Sequence, residues 1–314
     1  MSEPIVICEC FARDGLQHET VALATTEKIA AIDAFTAAGF RRVEATSYSH
    51  PDRVPAFRDA SEVLAGIKRG AGVHYKATCP NPRAVGRALA DLDAGHGATE
   101  LSLLVSTTDS HTERNLRTTR AKQWEAVAEM VGLAAGRFRL VGVISMALGC
   151  AFEGVVDSGV VVADAVRFAA LGVELVSIGD TTGHGTPTTV RALFRRLAEE
   201  VPGITPVAHF HNTRGTGLAN CMAALEAGCR YFDSAFGGVG GHPAQIQYGE
   251  GLTGNVATED LVNLLEAEGL STGLDRDAVL AASRLCEQIL GRDLHSMVAR
   301  AGFGLLPERS PEHV

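Results

Sequence analysis

The chain has 314 residues, 46% of them hydrophobic and 21% charged, enough for a large core in one or two domains. Its net charge of −9 and the lack of any basic block argue against a nucleic-acid or anionic-membrane surface, although a local cation or metal can still receive an acidic substrate. No apolar run approaches the length of a membrane span. Seven scattered cysteines, with no Cys-x-x-Cys and no secretory segment ahead of the first strand, point to a reducing, cytoplasmic setting.

In chain order, short β-like runs alternate with amphipathic stretches. Ile5–Cys10 precedes Thr26–Ala38, Arg42–Ser47 precedes Pro55–Arg69, His74–Cys79 precedes Arg83–Asp93, and Glu100–Ser106 precedes Ala121–Ala135. The second half repeats the pattern: Arg139–Met146 with Val160–Leu171, Leu175–Asp180 with Thr188–Glu200, Thr205–His211 with Gly215–Ala227, and Tyr231–Gly237 with Thr258–Gly269. Eight strand–helix units without a long linker predict an α/β fold, a closed (β/α)8 TIM barrel. The rival, an open doubly wound sheet, lacks the Gly-x-Gly-x-x-Gly expected after a first strand. Beyond Gly269 the strands stop, and Leu274–Leu290 and Asp293–Ala301 read as extra C-terminal helices. Residues 1–270 are therefore expected to form the barrel, 271–302 a helical appendage packed on it, and 303–314 a flexible tail.

Barrels of this type carry their chemistry where strands run out into loops. Ionisable groups gather at those ends here. The first strand leads into Arg13-Asp14-Gly15-Leu16-Gln17, the second contains Glu44, the sixth ends at Asp180, the seventh at His209 and His211, and the eighth runs into Gly237-Gly-Val-Gly-Gly-His242. In a strand, His209 and His211 point to the same face, with Phe210 opposite. Two such imidazoles can hold a divalent metal or can simply hydrogen-bond within a barrel. With Asp14 they make an oxygen and nitrogen set without sulfur, which favours Mg²⁺ or Mn²⁺, with Zn²⁺ as an alternative. Asn255, in the turn before a helix, offers either a neutral oxygen ligand or a cap.

In this order, these residues resemble the 3-hydroxy-3-methylglutaryl-CoA lyase family of metal-dependent barrel lyases. The likeness runs over roughly residues 5–290 and rests on Arg13-Asp-Gly-Leu-Gln17, Glu44-Ala-Thr-Ser-Tyr-Ser-His-Pro-Asp-Arg-Val-Pro55, Ser145-Met-Ala-Leu-Gly-Cys150 with Glu153-Gly154, Ser177-Ile-Gly-Asp-Thr-Thr-Gly-His-Gly-Thr-Pro187, His209-Phe-His211, and Gly254-Asn-Val-Ala-Thr-Glu-Asp-Leu261. It is closer to these lyases than to related synthases such as isopropylmalate synthase. The resemblance implies that Asp14, His209, His211 and Asn255 bind the metal. It implies that Arg13 neutralises the enolate oxygen of the thioester, that Glu44 and Asp180 support the site or handle protons, and that Gln17 lies near the substrate. The implied reaction cleaves a 3-hydroxyacyl thioester to acetyl-CoA and a keto acid, so an acyl-CoA is the expected ligand.

The chain also departs from the family. Where the family's glycine loop carries a catalytic cysteine in Gly-Gly-Cys-Pro, this chain reads Gly240-Gly-His242-Pro243. The segment from there to Asn255 is longer than in family members, and Asn212 stands where aspartate is usual. His242, an imidazole near neutral titration among flexible glycines, is the expected replacement proton donor; a space-filling lid residue is the alternative. Two competing functions remain: an aldolase or Claisen-type synthase on a related acid, and a barrel that binds without catalysis. His184 is left as a contact to substrate or to solvent, Cys150 reads as a buried small hydrophobe, and Cys8 and Cys10 receive no role. The doublets Arg41–Arg42 and Arg195–Arg196 read as solvated charges. A homodimer would give the C-terminal helices a surface to pack on; covering the barrel is the other outcome.

Overall fold

The computed structural model describes residues 4–19, 22–241 and 254–305. Eight parallel strands close on themselves in sequence order: β1 (Val6–Glu9), β2 (Arg42–Ser47), β3 (His74–Cys79), β4 (Glu100–Ser106), β5 (Arg139–Ser145), β6 (Leu175–Asp180), β7 (Thr205–Phe210) and β8 (Tyr231–Ser234), with β8 pairing back to β1. Around them run α1 (Thr25–Ala37), α2 (Ala60–Gly66), α3 (Pro82–Asp93), α4 (Asp109–Leu116), α5 (Arg120–Ala134), α6 (Ser158–Ala170), α7 (Pro187–Glu200), α8 (Gly217–Glu226) and α9 (Thr258–Ala267). The predicted barrel is the observed one.

Strand alternation explains where the core sits. Outward residues such as Val43, Tyr75, Leu101, Leu103, Ile144, Val176, Ile178 and Phe210 are fully buried against the helices and form one continuous apolar layer. The inward residues behave differently. Val141, Leu175 and Val207, with Val143 and Tyr231 against them, make a small apolar plug. Arg42, Glu44, Lys76, Glu100, Ser102 and Asp233 are also buried. The barrel therefore holds its apolar mass outside the sheet and a charged filling inside.

The element boundaries moved in instructive places. The stretch expected as one helix over 55–69 splits into a 3₁₀ turn (Pro55–Phe57) and α2. An unforeseen helix, α4, follows β4; its sequence is polar and only His111 and Thr112 are buried, so no apolar period announces it. Arg42 corrects the reading of the Arg41–Arg42 doublet: it is 1% exposed and its guanidinium is paired with Glu100 at 2.5 Å. The strand turns Arg42 inward, while Arg41 stays exposed.

Two helices follow the barrel, α10 (Arg276–Leu290) and α11 (Met297–Ala301). Asp275 caps α10 by accepting from the Ala278 amide at 2.9 Å, and its own amide donates to the Ala38 carbonyl at the end of α1. Between α10 and α11, the His295 amide donates to the Gly237 carbonyl at 3.0 Å, which fastens this segment beneath the turn after β8. Both helices thus fold back onto the barrel.

Candidate active site

The strands deliver their polar ends to one cavity of about 490 Å³ at the C-terminal mouth. After β1 the chain makes a π-type turn over Phe11–Gly15, a conformation favoured at functional positions, and this turn presents Arg13 and Asp14 side by side. Their side chains form an ion pair at 2.5 Å. Two strands away around the barrel, with β8 between, β7 brings His209, with His211 just past its end. The His211 backbone bridges to Asn255 in antiparallel fashion, and the Asn212 amide donates to the Gly254 carbonyl, so the chain after the glycine turn is stitched beside the histidines. Gly240, at φ +113°, permits this closeness: a Cβ there would lie 2.5 Å from Asn255 Nδ2.

Asp14, His209 and His211 converge so that one ligand atom from each lies within 4.8 Å of the others. Asp14 Oδ2 is 3.9 Å from His209 Nε2 and 3.8 Å from His211 Nε2. Those gaps are too long for hydrogen bonds, yet two donors each about 2.1 Å from one cation lie no more than about 4.2 Å apart. Asn255 donates through Nδ2 to Asp14 Oδ2 at 2.7 Å, while its buried Oδ1 has no partner among the described residues. A buried amide oxygen without a donor is what a cation ligand looks like when only protein is considered. The set therefore fits a divalent metal, through three O/N donors and a neutral oxygen, all without sulfur.

The electrostatics agree. Burial alone would raise the Asp14 carboxyl, but the Arg13 guanidinium and both imidazoles hold it below the usual carboxylate range. Burial pushes His211 down to about 4, so its ring is neutral and its lone pair available. His209 donates from Nδ1 to Asp233 Oδ2 at 3.2 Å, and this carboxylate outweighs burial and raises the imidazole. That bond fixes the tautomer that leaves Nε2 facing Asp14, the carboxylate–histidine arrangement seen behind metal-ligating histidines.

Around the cavity the charges alternate in a closed ring. Arg13 lies 3.3 Å from Glu44, and Glu44 Oε1 also accepts from Thr78 at 2.8 Å. Lys76 Nζ stands 3.7 Å from Glu44 Oε2 and 3.6 Å from Asp233 Oδ2. Asp233 then reaches His209, and His209 faces Asp14, which returns to Arg13. Burial opposes the charge on Lys76, but Asp233 and Glu44 outweigh it and keep it an ammonium.

Of the residues singled out in the sequence, Arg13, Asp14, Gln17, Glu44, His209 and His211 line the cavity, and Asn255 touches it through Asp14. Asp180 is not among the lining residues. Its oxygens accept the His184 and Gly185 amides, each at 2.9 Å, and burial pushes its carboxyl up to about 6. Of the two roles the resemblance allows Asp180, these bonds favour support of the loop after β6. His242 lies outside the described residues, next to Gly241, which lines the cavity. His184 is exposed and bonds to Thr182, and Cys150 is buried against the Thr108 hydroxyl. Sequence reasoning missed Asp233, Lys76 and Ser102. The available signal was an acidic, basic or hydroxyl residue at inward parity within a buried strand, where such groups need a reason. Cys8 and Cys10 also converge on Asp233, but burial raises the Cys10 thiol far above its ordinary range, and a protonated thiol is a poor ligand.

A model of the HMGL-like family matches residues 4–286. The mitochondrial hydroxymethylglutaryl-CoA lyase of Mus musculus is 35% identical over 96% of this chain and 90% of its own length. The cytoplasmic 3-hydroxy-3-methylglutaryl-CoA lyase of the same organism is 33% identical over 96% of this chain and 86% of its own length. Among solved structures, an HMG-CoA lyase from Acenitobacter baumannii in complex with coenzyme A and 3-methylmalate superposes with a TM-score of 0.90 at 35% identity, covering 99% of this chain and all of that one.

Proposed function

The chain belongs to the HMGL-like family, and from that premise we propose that it is a divalent-metal-dependent carbon–carbon lyase. The substrate in this reading is a 3-hydroxy-3-methylglutaryl-CoA-like thioester, cleaved to acetyl-CoA and a keto acid. The observation that carries the proposal is the convergence of Asp14, His209 and His211 beside Arg13 in one cavity. A barrel that only binds a ligand has no need to hold a buried carboxylate and two imidazoles at metal-ligating separations.

In this reading Asp14, His209, His211 and Asn255 hold the cation, and their oxygen and nitrogen donors favour Mg²⁺ or Mn²⁺ over Zn²⁺. When bound, the cation supplies Lewis acidity that makes loss of the substrate's hydroxyl proton easier. Glu44 Oε2 makes no hydrogen bond among the described residues and belongs to a cavity-lining side chain, which suits it to take that proton. As the C2–C3 bond breaks, its electron pair moves to the thioester, and Arg13 meets the charge on the enolate oxygen. Glu44 and Thr78 fix Arg13 by holding its Nε. Protonation of the enolate carbon falls to His242, the nearest ionisable residue of the glycine loop in sequence. Asp180 supports the neighbouring loop. Gln17 lies at the cavity wall beside the first-strand turn and is assigned to the substrate.

Residues 1–270 act as the catalytic barrel and 271–302 as a brace beneath its glycine turn. A homodimer remains a proposal independent of these helices, which are already seated. No helix among the described residues is long and apolar enough to cross a membrane. The seven free cysteines favour a reducing compartment, and we assign the cytoplasm although relatives carry both mitochondrial and cytoplasmic names.

Purified protein assayed with 3-hydroxy-3-methylglutaryl-CoA should release acetyl-CoA when Mg²⁺ or Mn²⁺ is present, and EDTA should abolish the release. Keto-acid-dependent release of free CoA, without cleavage of any hydroxyacyl thioester, would move the assignment to a synthase. Failure of both, with no metal bound, would leave only a binding barrel.

A further inference from the structure

Of the cations in the cavity ring, Lys76 is the one to which the proposed reaction gives no task. It sits on β3 as the direct ladder partner of Glu44 on β2, and the register of the two strands slips immediately afterwards, between Glu44 and Thr46. An irregularity of that kind re-aims a side chain, and here it falls at the proposed proton acceptor. The Lys76 side chain is only 3% exposed. Its Nζ stands 3.7 Å from Glu44 Oε2 and 3.6 Å from Asp233 Oδ2, close enough for attraction but beyond hydrogen-bond reach of either.

An ion pair that serves packing looks different in this same barrel. Arg42, two residues before Glu44 on β2, holds Glu100 through three hydrogen bonds of 2.5 to 3.2 Å, which occupy both carboxylate oxygens. Lys76 does the reverse. Attraction between charges falls off slowly with distance, whereas a hydrogen bond weakens steeply. An ammonium at 3.7 Å therefore favours the ionised carboxylate without capping the oxygen that must accept a proton. Glu44 is arranged to match. Its Oε1 accepts the Thr78 hydroxyl and faces Arg13 Nε at 3.3 Å, while Oε2 makes no hydrogen bond among the described residues. The charged groups facing Glu44 are thus Arg13 from the turn after β1 and Lys76 from β3. Lys76 in turn meets Asp233 from β8 and the thiols of Cys8 and Cys10 on the β1 side, and Arg42 below is shared between Glu100 and Asp233.

We propose that Lys76 is a positioning residue for the proton acceptor: it holds Glu44 ionised from a distance that leaves Oε2 open, so the base is charged and uncapped at once. The role of Glu44 rests on the lyase reading; the pairing of Lys76 with Glu44 does not. With Lys76 removed, Arg13 alone faces the carboxylate, and an acid that loses a nearby cation ionises at a higher pH. Turnover is then lost at low pH and returns at high pH, because Lys76 in this assignment touches no reacting atom.

The experiment follows kcat for 3-hydroxy-3-methylglutaryl-CoA against pH, with Mn²⁺ and substrate saturating, in the wild type and in Lys76→Met. The acid limb of the variant should lie about 1 to 3 pH units above that of the wild type, and its high-pH plateau should come within about 10-fold of the wild-type value. Lys76→Arg, which keeps a charge, should keep the limb near its wild-type position. An unmoved limb in Lys76→Met overturns the assignment. So does a plateau that falls by about 100-fold, which would put Lys76 on the substrate instead of behind the base. A melting curve checks that Lys76→Met is folded. If it is not, Lys76→Met/Asp233→Asn removes both charges together and is compared with Asp233→Asn alone; the limb should again rise, and equal limbs refute the pairing. Should the wild type cleave no thioester, the lyase reading fails, and infrared titration of the carboxyl stretch then judges the pairing. A band absent from Glu44→Gln that ionises at higher pH in Lys76→Met than in the wild type supports it, and a band that ionises at the same pH in both refutes it.

Discussion

Behind β1 and β8, Glu9 and Glu259 are sealed from solvent, just as Asp233 and Glu44 are in the mouth of the barrel. The two sets of carboxylates are nevertheless handled in opposite ways. Glu9 Oε1 accepts the Phe11 and Phe236 amides at 2.9 and 3.1 Å, and Oε2 accepts the Thr258 hydroxyl, which in turn meets Ser234 at 2.8 Å. Glu259 holds the Gly237 amide with both oxygens and is itself held by Ser283. No cation is needed there, and burial pushes the Glu9 carboxyl up to about 8 and raises Glu259 as well. In the mouth, cations surround the acids and hold Asp14 and Asp233 low against their burial, while Lys76 and both imidazoles stand 3.6 to 3.9 Å from carboxylate oxygens they do not hydrogen-bond, and the Asp233 Oδ1 and Asn255 Oδ1 atoms have no partner among the described residues. A structural cluster closes on itself; a site keeps its charges and leaves them room for something else. The first cluster pins the turn Phe236–Gly238 from which the glycine loop departs, so it serves the second without touching it.

The strongest way to break this contrast is to remove a ligand from the open cluster. His211→Ala should lower kcat by more than about 1,000-fold, because a cation at such a centre contributes several kcal/mol to the barrier. Bound metal, measured by atomic spectroscopy, should fall with it. Retention of both metal and turnover would remove the imidazole pair from the mechanism.

A smaller effect tests the support behind the ligands. Asp233→Asn keeps an acceptor for His209 Nδ1 but removes the charge that steadies it and Lys76. Affinity for Mn²⁺, followed by electron paramagnetic resonance, should fall by about 10- to 100-fold, the usual cost of losing such a partner. An unchanged affinity would mean that the closeness of Asp233 to His209 is incidental.

Asp233 also shows where the sequence stops being legible. His209 and His211 could be read because they end an apolar run and share a strand face, and Asp14 because it opens a recognisable turn after the first strand. Asp233 sits in Tyr231-Phe-Asp-Ser, and Lys76 in His74-Tyr-Lys-Ala-Thr-Cys; neither run shows which face meets the cavity until the barrel is closed and the register is known. Arg42 was misjudged for the same reason. A charge beside another charge at the start of a strand looks solvated, and only its shared parity with Glu44 marks it as internal. Strands such as β5 and β6 were legible as dense apolar runs bounded by turns, and the more polar β2 and β3 through their place in the repeated strand–helix alternation. Helix α4 was not, because a helix that covers a loop rather than a core carries no apolar stripe.

The mildest test lies in the closed cluster. Glu9→Gln should leave turnover near the wild-type level at neutral pH, since an amide can accept the Phe11 and Phe236 amides through its oxygen and donate to Thr258 through its nitrogen. Stability should respond to pH instead. A carboxyl at about 8 in the fold and near 4.5 when unfolded binds its proton more tightly in the native state. Its favourable contribution is therefore complete below about pH 4.5 and is lost as pH rises through about 8, at roughly 1.4 kcal/mol per unit within that window. Glutamine does not titrate, so the melting temperature of the variant should gain on the wild type steadily from pH 5 to about pH 8 and then level off. Parallel melting profiles would mean that Glu9 is already ionised in the fold, and that the closed cluster differs from the open one in geometry alone.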